Sequence, residues 1–456
     1  MSKTSLKDLP SVNKVLHEVS SYISLHESYI KYLINKELDI LRVEIKKGTI
    51  SKSSNELLSK IINNVWMESA PKLINIINGT GIVLHTGFGR APFNSKVLKE
   101  VADRLDGYVN LEFDLSSGKR GDRQVHIREH LSSICESESS LAVNNNAAAV
   151  MLSINEIAEN GDVIVSRGQL VEIGGSFRIP DIIEKSGANL KEVGTTNRTH
   201  ISDYKSAITK STKLILWVHT SNYVIKGFTS SVNLSELVLL GKKYNIPVMV
   251  DWGSGAFLDM NSFQLADEIP IKSIMQKSNP HLVTFSGDKL IGGPQSGLIV
   301  GKKEFIKRLQ KNPLYRVLRC DKITIGLLEG TLRSYRSESF TKDNLTLKML
   351  LTSRKVLKNR GEKVLYLLNK RKIKGLGLTL VKSYVVAGSG SLPENKIESM
   401  ALSFNPQSMK ITELASAFRC GSFPVIGYIS EKLFYIDLKA ILPSQINRLI
   451  KAIEEL

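Results

Sequence analysis

The chain has 456 residues, 42% hydrophobic and 23% charged, an ordinary soluble composition with core enough for two or three domains. No stretch approaches the roughly 18 apolar residues of a membrane span and no signal-like apolar segment opens the chain, so a cytoplasmic protein with no membrane contact is expected. The net charge of +18 is uneven: residues 301–375 carry 21 Lys plus Arg against 6 Asp plus Glu, leaving +3 for the other 381.

That basic segment reads as a surface for a polyanion such as nucleic acid, or else as solvated helix faces; no RRM or zinc-knuckle signature accompanies it. Residues 1–66 read as a helical domain. Pro10 and Ser11 precede Val12, Val15, Leu16 and Val19 at helical spacing. Ile30, Leu33, Ile34, Leu38, Leu41 and Ile45 continue it to Gly48, and Leu57, Leu58, Ile61, Ile62 and Val65 mark a third helix. With 10 basic and 7 acidic residues over 1–65, electrostatics alone does not make this domain an RNA binder.

A catalytic domain is expected over 67–332. Between Asn78 and Pro92, Gly79, Gly81, Gly87 and Gly89 let the backbone lie against a ligand; Arg90 then reaches an anion or faces solvent. Leu111 to Leu115 alternates like a strand, and Lys119, Arg120 and Arg123 follow in a polar turn, exposed or anion-contacting. His126, His130 and Cys135 lack a fourth ligand nearby, so no metal is expected and an exposed helix face explains them better. Cys135, Cys320 and Cys420 are scattered and odd in number, which points to reduced thiols. Leu141 to Val143 runs into Asn144, Asn145 and Asn146, and Ala147 and Ala148 then start a helix. Small residues at a helix N-terminus suit a phosphate; a plain Asn cap is the alternative.

From there strands and helices alternate as in an open α/β sheet, where ligands sit beyond the strand ends. Val163–Val165 leads to Ser166–Gln169, Leu214–Val218 to His219–Tyr223, Val248–Val250 to Asp251, and Val283–Phe285 to Ser286; Leu298–Val300 is the last strand. Lys289 stands after its strand among Ser286, Gly287, Gly292 and Gly293, where a pyridoxal 5'-phosphate (PLP) enzyme keeps its Schiff-base lysine. Asp251 lies 38 positions upstream at another strand end and supplies the counter-charge that keeps the cofactor's ring nitrogen protonated. Either residue alone is commonplace, a lysine on a glycine-rich turn or an aspartate ending a strand. Together they point to PLP, with Asn146, Ala147 and Ala148 as phosphate cup and Ser286 beside the lysine. Asn222 and Ser254 are candidates for the ring hydroxyl oxygen, and His219 faces the cofactor or is held by backbone.

Residues 333–456 read as a small C-terminal α/β domain joined by a long helical stretch from Leu332 through Leu367. Val381–Ala387, Met400–Phe404, Val425–Ile429 and Leu433–Leu438 read as strands, and Ile411–Phe418 and Ser444–Leu456 as helices.

These residues resemble the bacterial selenocysteine synthases, the L-seryl-tRNA(Sec) selenium transferases. The matching segments are Leu9–Val12, Asn78–Pro92, Asn144–Ala148, Ser166–Pro180, His219–Phe228, Asp251–Gly255, Ser286–Gln295 and Tyr315–Tyr335, nearly the full chain. The resemblance implies a fold-type I PLP-dependent transferase with a mainly parallel sheet, an N-terminal domain that holds tRNA, and a homo-oligomer built of dimers, a decamer by family pattern. It implies Lys289 as the cofactor lysine and Arg90, Arg316 and Arg319 around selenophosphate. The implied reaction turns seryl-tRNA(Sec) into selenocysteyl-tRNA(Sec) by loss of the serine β-hydroxyl and addition of selenium. Four positions depart from the pattern: Gln169 replaces Glu, Val224 and Tyr428 replace Arg, and Trp252 replaces Leu. Because the serine carboxyl is esterified to tRNA, no arginine is needed for it, which makes Tyr428 less consequential. The alternatives are a PLP lyase acting on a free amino acid or amino sugar phosphate, and a non-catalytic tRNA-binding protein on the same scaffold. The helical N-terminus and basic segment argue against the first, and intact Lys289 and Asp251 against the second.

Overall fold

The structure, a computed structural model, describes residues 4–173, 177–220, 223, 225–263, 265, 268–338, 340–391 and 396–456, the side chains of Ile173 and Ser262 aside. The chain divides into two compact units, residues 1–75 and 76–456.

The first unit is three helices, Val12–Val19, Glu27–Lys46 and Ser54–Ser69. Ser11 caps the first by accepting from the Lys14 N–H, and Ser53 with Glu56 forms a capping box on the third. The apolar stripes close on one another, burying Val15, Val19, Leu33, Ile34, Leu38, Leu41, Leu57, Ile61 and Val65. Full burial of each such side chain contributes roughly 1.5–3 kcal/mol.

The second unit is built on a seven-stranded sheet: β1 Ser139–Val143, β2 Asp162–Ser166, β3 Asn189–Val193, β4 Thr212–Val218, β5 Val248–Asp251, β6 Leu282–Ser286 and β7 Gly297–Gly301. Their spatial order is β1-β7-β6-β5-β4-β2-β3. The β3–β2, β2–β4, β4–β5 and β5–β6 pairs are parallel, whereas β7 runs antiparallel to both β6 and β1. Helices cover both faces, so β1, β4, β5 and β6 read as near-continuous apolar runs rather than alternations. Edge strand β3, Asn-Leu-Lys-Glu-Val, is mostly exposed and lacks that signature. The expected strand at Leu111–Leu115 shrinks to Phe113–Asp114, paired with Lys119–Arg120 in an exposed two-stranded hairpin.

The expected helix from Leu332 through Leu367 is broken into Lys322–Ser334, Phe340–Asp343, Leu345–Leu351 and Arg354–Leu367. Asn344 and Ser353 start two of the new helices, Asn344 accepting the Leu347 N–H and Ser353 the Val356 N–H. A four-stranded antiparallel sheet follows: β8 Thr379–Val385, β9 Ile397–Phe404, β10 Tyr428–Ser430 and β11 Leu433–Asp437, in the order β8-β9-β11-β10. Val425–Ile426, read with β10 as one strand, instead pairs in parallel with Ile77–Asn78. The glycine-rich segment is tied to this C-terminal region by that pair, by Asp437 N–H to Gly79 O at 2.7 Å and by Leu84 N–H to Ala387 O at 2.8 Å.

The basic stretch is less of a single face than its charge count suggests. Lys302 pairs with Glu138, Arg308 with Glu156, Arg319 with Glu112 and Arg354 with Glu398, all acids outside the segment. The expected exposed face of His126, His130 and Cys135 is also corrected. Cys135 is fully buried in the core and the two histidines are half-buried. Burial raises the Cys135 thiol far above its usual range, which keeps it protonated. Among the described residues no group of three His, Cys, Asp or Glu side chains forms a metal site, and no helix is long and apolar enough to cross a membrane.

Candidate active site

The C-terminal ends of β1, β4, β5 and β6 meet around a cavity of about 340 Å³, whose lining includes Arg90, Asn146, His219, Asp251, Ser286 and Lys289. Its volume falls in the roughly 300–1,000 Å³ range of small-molecule sites. Antiparallel β7 makes the convergence possible, since its first residue, Gly297, lies between Val143 and Ser286. A Cβ on Gly297 would collide with the backbone of Asn145 and Asn146, so the Asn turn can sit this close only over glycine.

Lys289 is 4% exposed, and its loop is pinned from several sides. Gly292 N–H donates to Lys289 O at 2.9 Å and Gly293 N–H to Gly287 O at 2.8 Å. Tyr335 Oη and Asn344 Nδ2 both donate to Ile291 O, at 2.9 and 2.7 Å. Gly292 has φ +72° and abuts the Asn344 amide, two reasons for glycine there. Burial holds the Lys289 amine below the ordinary lysine value and Arg90 adds to the depression, while Asp251, Asp288 and Glu268 pull it back.

Asp251 is also 4% exposed. Asn146 Nδ2 donates to its Oδ1 at 2.8 Å, and Thr284 Oγ1 lies 3.4 Å from the same oxygen. Burial raises its pKa, opposed by the Asn146 hydrogen bond, the Lys289 charge and Thr284. Asn145 caps the helix Asn146–Ala158 by accepting from Ala148 N–H at 2.9 Å, so that amide is engaged; Ala147 lines the cavity and Ala148 does not. Ser254 is fully buried with its hydroxyl donated to Glu268, rather than turned to the cavity. Asn222 and Val224 lie outside the described residues.

The ring of His219 lies 3.8 Å from that of Trp252 at an interplanar angle of 7°, and Trp252 is itself fixed by Nε1–H to Glu268 at 2.9 Å. Burial, with Lys289 second, pushes His219 down to about 4. Its imidazole is therefore neutral at pH 7, and the 3.9 Å approach of Nδ1 to Glu268 is not an ion pair. Gln169 accepts the Val218 N–H at 3.1 Å, a contact that an amide oxygen makes as well as a carboxylate. Tyr428 stacks on Tyr435 in the four-stranded sheet, and burial pushes its hydroxyl up to about 12.

The three arginines do not converge within this chain. Arg90 sits at φ +60° and reaches Asp288 Oδ2 at 2.8 Å on the cavity rim. Arg316 is exposed on the short helix Pro313–Leu318; Arg319 lies beyond its end in extended conformation, so the two do not share a helix face as their spacing suggests. Arg319 bridges to Val143 and pairs with Glu112 at 3.0 Å. Sequence reasoning missed Asp288, Glu268 and Gln295. Asp288 had a signal in its place beside Lys289; Glu268 had none.

The family model described as L-seryl-tRNA selenium transferase matches residues 76–442. The chain belongs to this family. It is 41% identical over 456 residues to the L-seryl-tRNA(Sec) selenium transferase of Carboxydothermus hydrogenoformans, covering 99% of this chain and 97% of that one. It is 37% identical over 459 residues to the protein of that name from Clostridium botulinum strain Hall, covering 100% and 99%. Among solved structures, D-glucosaminate-6-phosphate ammonia-lyase superposes with a TM-score of 0.59 at 16% identity, over 84% of this chain and 95% of that one. That likeness shows a shared fold, and the selenium transferase family member has the fold-type I, PLP-enzyme architecture.

The residues of the cavity fit PLP. They include a buried amine and a buried carboxylate, and among the described residues the Asn146 Oδ1 and His219 Nδ1 atoms are buried without a hydrogen-bond partner. Such atoms cost free energy unless a bound group satisfies them.

Proposed function

We propose that the protein converts seryl-tRNA(Sec) to selenocysteyl-tRNA(Sec) with selenophosphate, using PLP bound covalently to Lys289. Full-length similarity near 40% to selenium transferases carries this reading, supported by the buried Lys289 and Asp251 on one cavity. PLP, when bound, supplies an electron sink for charge developing at the serine Cα.

The chain's own residues supply the rest. Asp251, oriented by Asn146, holds the proton of the cofactor's ring nitrogen. Asn146 and Ala147 offer the start of a helix to the phosphate, with Ala148 behind them. Ser286 lines the same cavity, Ser254 acts from behind through Glu268, and neutral His219 presents an imidazole ring to the cavity; Asn222 is proposed for the cofactor's ring hydroxyl oxygen from its sequence position alone. Lys289 takes the Cα proton, and burial, with Arg90 second, lowers its amine below the ordinary lysine value, the direction that role requires. The serine C–O and selenophosphate P–Se bonds break while C–Se and P–O bonds form, so phosphate leaves and there is no net redox change. Arg90, Arg316 and Arg319 are proposed for the selenophosphate oxygens, with charge-assisted hydrogen bonds each contributing about 1.5–3 kcal/mol.

Residues 1–66 are proposed to hold the tRNA, 67–332 to carry the catalytic site and 333–456 to form the small domain. Exposed Tyr22, Tyr29, Tyr32 and Trp66 on the helical unit suit contacts with nucleic acid. A cytoplasmic homo-oligomer built of dimers, a decamer by family pattern, is part of the same reading. Borohydride treatment of the yellow holoenzyme tests the site: cofactor fixed to the peptide containing Lys289 is expected, and label on another lysine overturns the assignment.

A further inference from the structure

Glu112 gathers three guanidinium groups. Its Oε1 accepts from Arg123 Nε at 2.9 Å, from Arg123 Nη2, and from Arg319 Nη1 at 3.0 Å, while its Oε2 accepts from Arg120 Nη2 at 2.8 Å. The arginines hold the carboxyl below its ordinary range, Arg123 foremost, so it is ionised. One negative charge then faces three positive ones. Arg123 is 8% exposed and anchored from behind by donating to Cys320 O, so it is not free to turn to solvent. Arg319 is bridged to Val143, and the strand continues from there into Asn145 and Asn146 on the wall of the lysine cavity. Glu112 itself directly precedes the hairpin Phe113–Asp114/Lys119–Arg120, whose two short strands are both exposed.

We propose that Glu112 is a resident counter-anion: it occupies the Arg120–Arg123–Arg319 cluster, and a small tetrahedral oxyanion binds there by displacing it. A monovalent carboxylate with two oxygens leaves the cluster two charges in excess. A multiply charged oxyanion offers more acceptors and a closer charge match to the same forks. The near-complete burial of Arg123 favours a small free oxyanion over an RNA backbone phosphate. Glu112 thereby sets the affinity threshold for the oxyanion and keeps the arginines paired until it arrives. This rests on the reading that Arg319 contacts selenophosphate.

The test is calorimetric titration of inorganic phosphate into full-length holoenzyme at constant ionic strength. Glu112→Gln, which keeps shape and removes charge, is expected to tighten phosphate binding about tenfold, or ~1.4 kcal/mol. Arg319→Gln is expected to weaken it. If Arg319→Gln weakens phosphate and Glu112→Gln leaves it unchanged or weaker, the counter-anion role fails alone. If Arg319→Gln has no effect, the reading beneath it fails as well. A Glu112→Gln protein that binds uncharged tRNA more tightly with phosphate unchanged assigns the cluster to RNA and overturns the proposal. Wild-type holoenzyme gives a second measurement should the variant not fold. Phosphate should speed amide hydrogen exchange in residues 112–121 as Glu112 lets go, and slower or unchanged exchange contradicts displacement.

Discussion

The Ile291 carbonyl, two residues past Lys289, accepts from both Tyr335 and Asn344, and Ile291 is fully buried. Tyr335→Phe removes one donor and keeps a ring that packs on Phe257 and Phe340, so it should cost about 1 kcal/mol. Asn344→Ala removes the other donor, ~1 kcal/mol, and the cap on Leu345–Leu351 made by accepting Leu347 N–H, worth a further ~1 kcal/mol. Either single variant leaves the carbonyl one partner. The double variant leaves it none, and an orphaned buried acceptor costs a further ~1–3 kcal/mol. Simple addition predicts about 3 kcal/mol, whereas the packing predicts about 4–6 kcal/mol and a coupling term well above the ~0.5 kcal/mol scatter of independent sites. Urea unfolding of the holoenzyme, followed by cofactor absorbance, reads all four corners of the cycle. A double variant whose loss equals the sum of the singles refutes the claim that these two side chains jointly hold the lysine loop.

Two further outcomes are expected. Deleting residues 1–75 should leave cofactor binding intact, because every cavity residue lies beyond that unit, and sharply weaken tRNA binding in a gel-shift assay; equal affinity would move recognition to the basic segment. His219 titrates near 4 when folded against an ordinary 6.5, so the unfolded chain binds a proton that the folded one refuses between those values. Stability is therefore lost as pH falls from 6.5 toward 4, by roughly 3 kcal/mol at the limit. His219→Gln should flatten that part of the wild-type stability curve, and parallel curves would contradict the assignment.

Elements with a strong local signal were legible in the sequence. The three N-terminal helices carry apolar stripes with Ser11 and Ser53 as caps, and β1, β4, β5 and β6 are apolar because both faces are buried. Asp251 and Lys289 were legible as strand-end polar residues in an otherwise apolar setting. Edge strand β3 was not, since solvent on its exposed face permits Asn, Lys and Glu. The breaks at Asn344 and Ser353 were hidden because residues on both sides are good helix formers, and only the cap hydrogen bonds reveal them. Charge proved the weakest guide. Arg316 and Arg319 have the three-residue spacing of one helical face, but the helix ends at Leu318, and the partner of Arg319, Glu112, is 207 residues away in sequence. Glu268 reaches Trp252 and Ser254 only through the tertiary fold, so no pattern in the chain announced it.

The most direct measurement is the identity of the amino acid on tRNA after reaction. Purified, cofactor-loaded protein supplied with seryl-tRNA(Sec) and selenophosphate should yield selenocysteine by mass spectrometry of the released aminoacyl ester, and Lys289→Ala should leave serine. Serine left unchanged by the fully loaded wild-type protein, or selenocysteine formed by Lys289→Ala, would contradict the account.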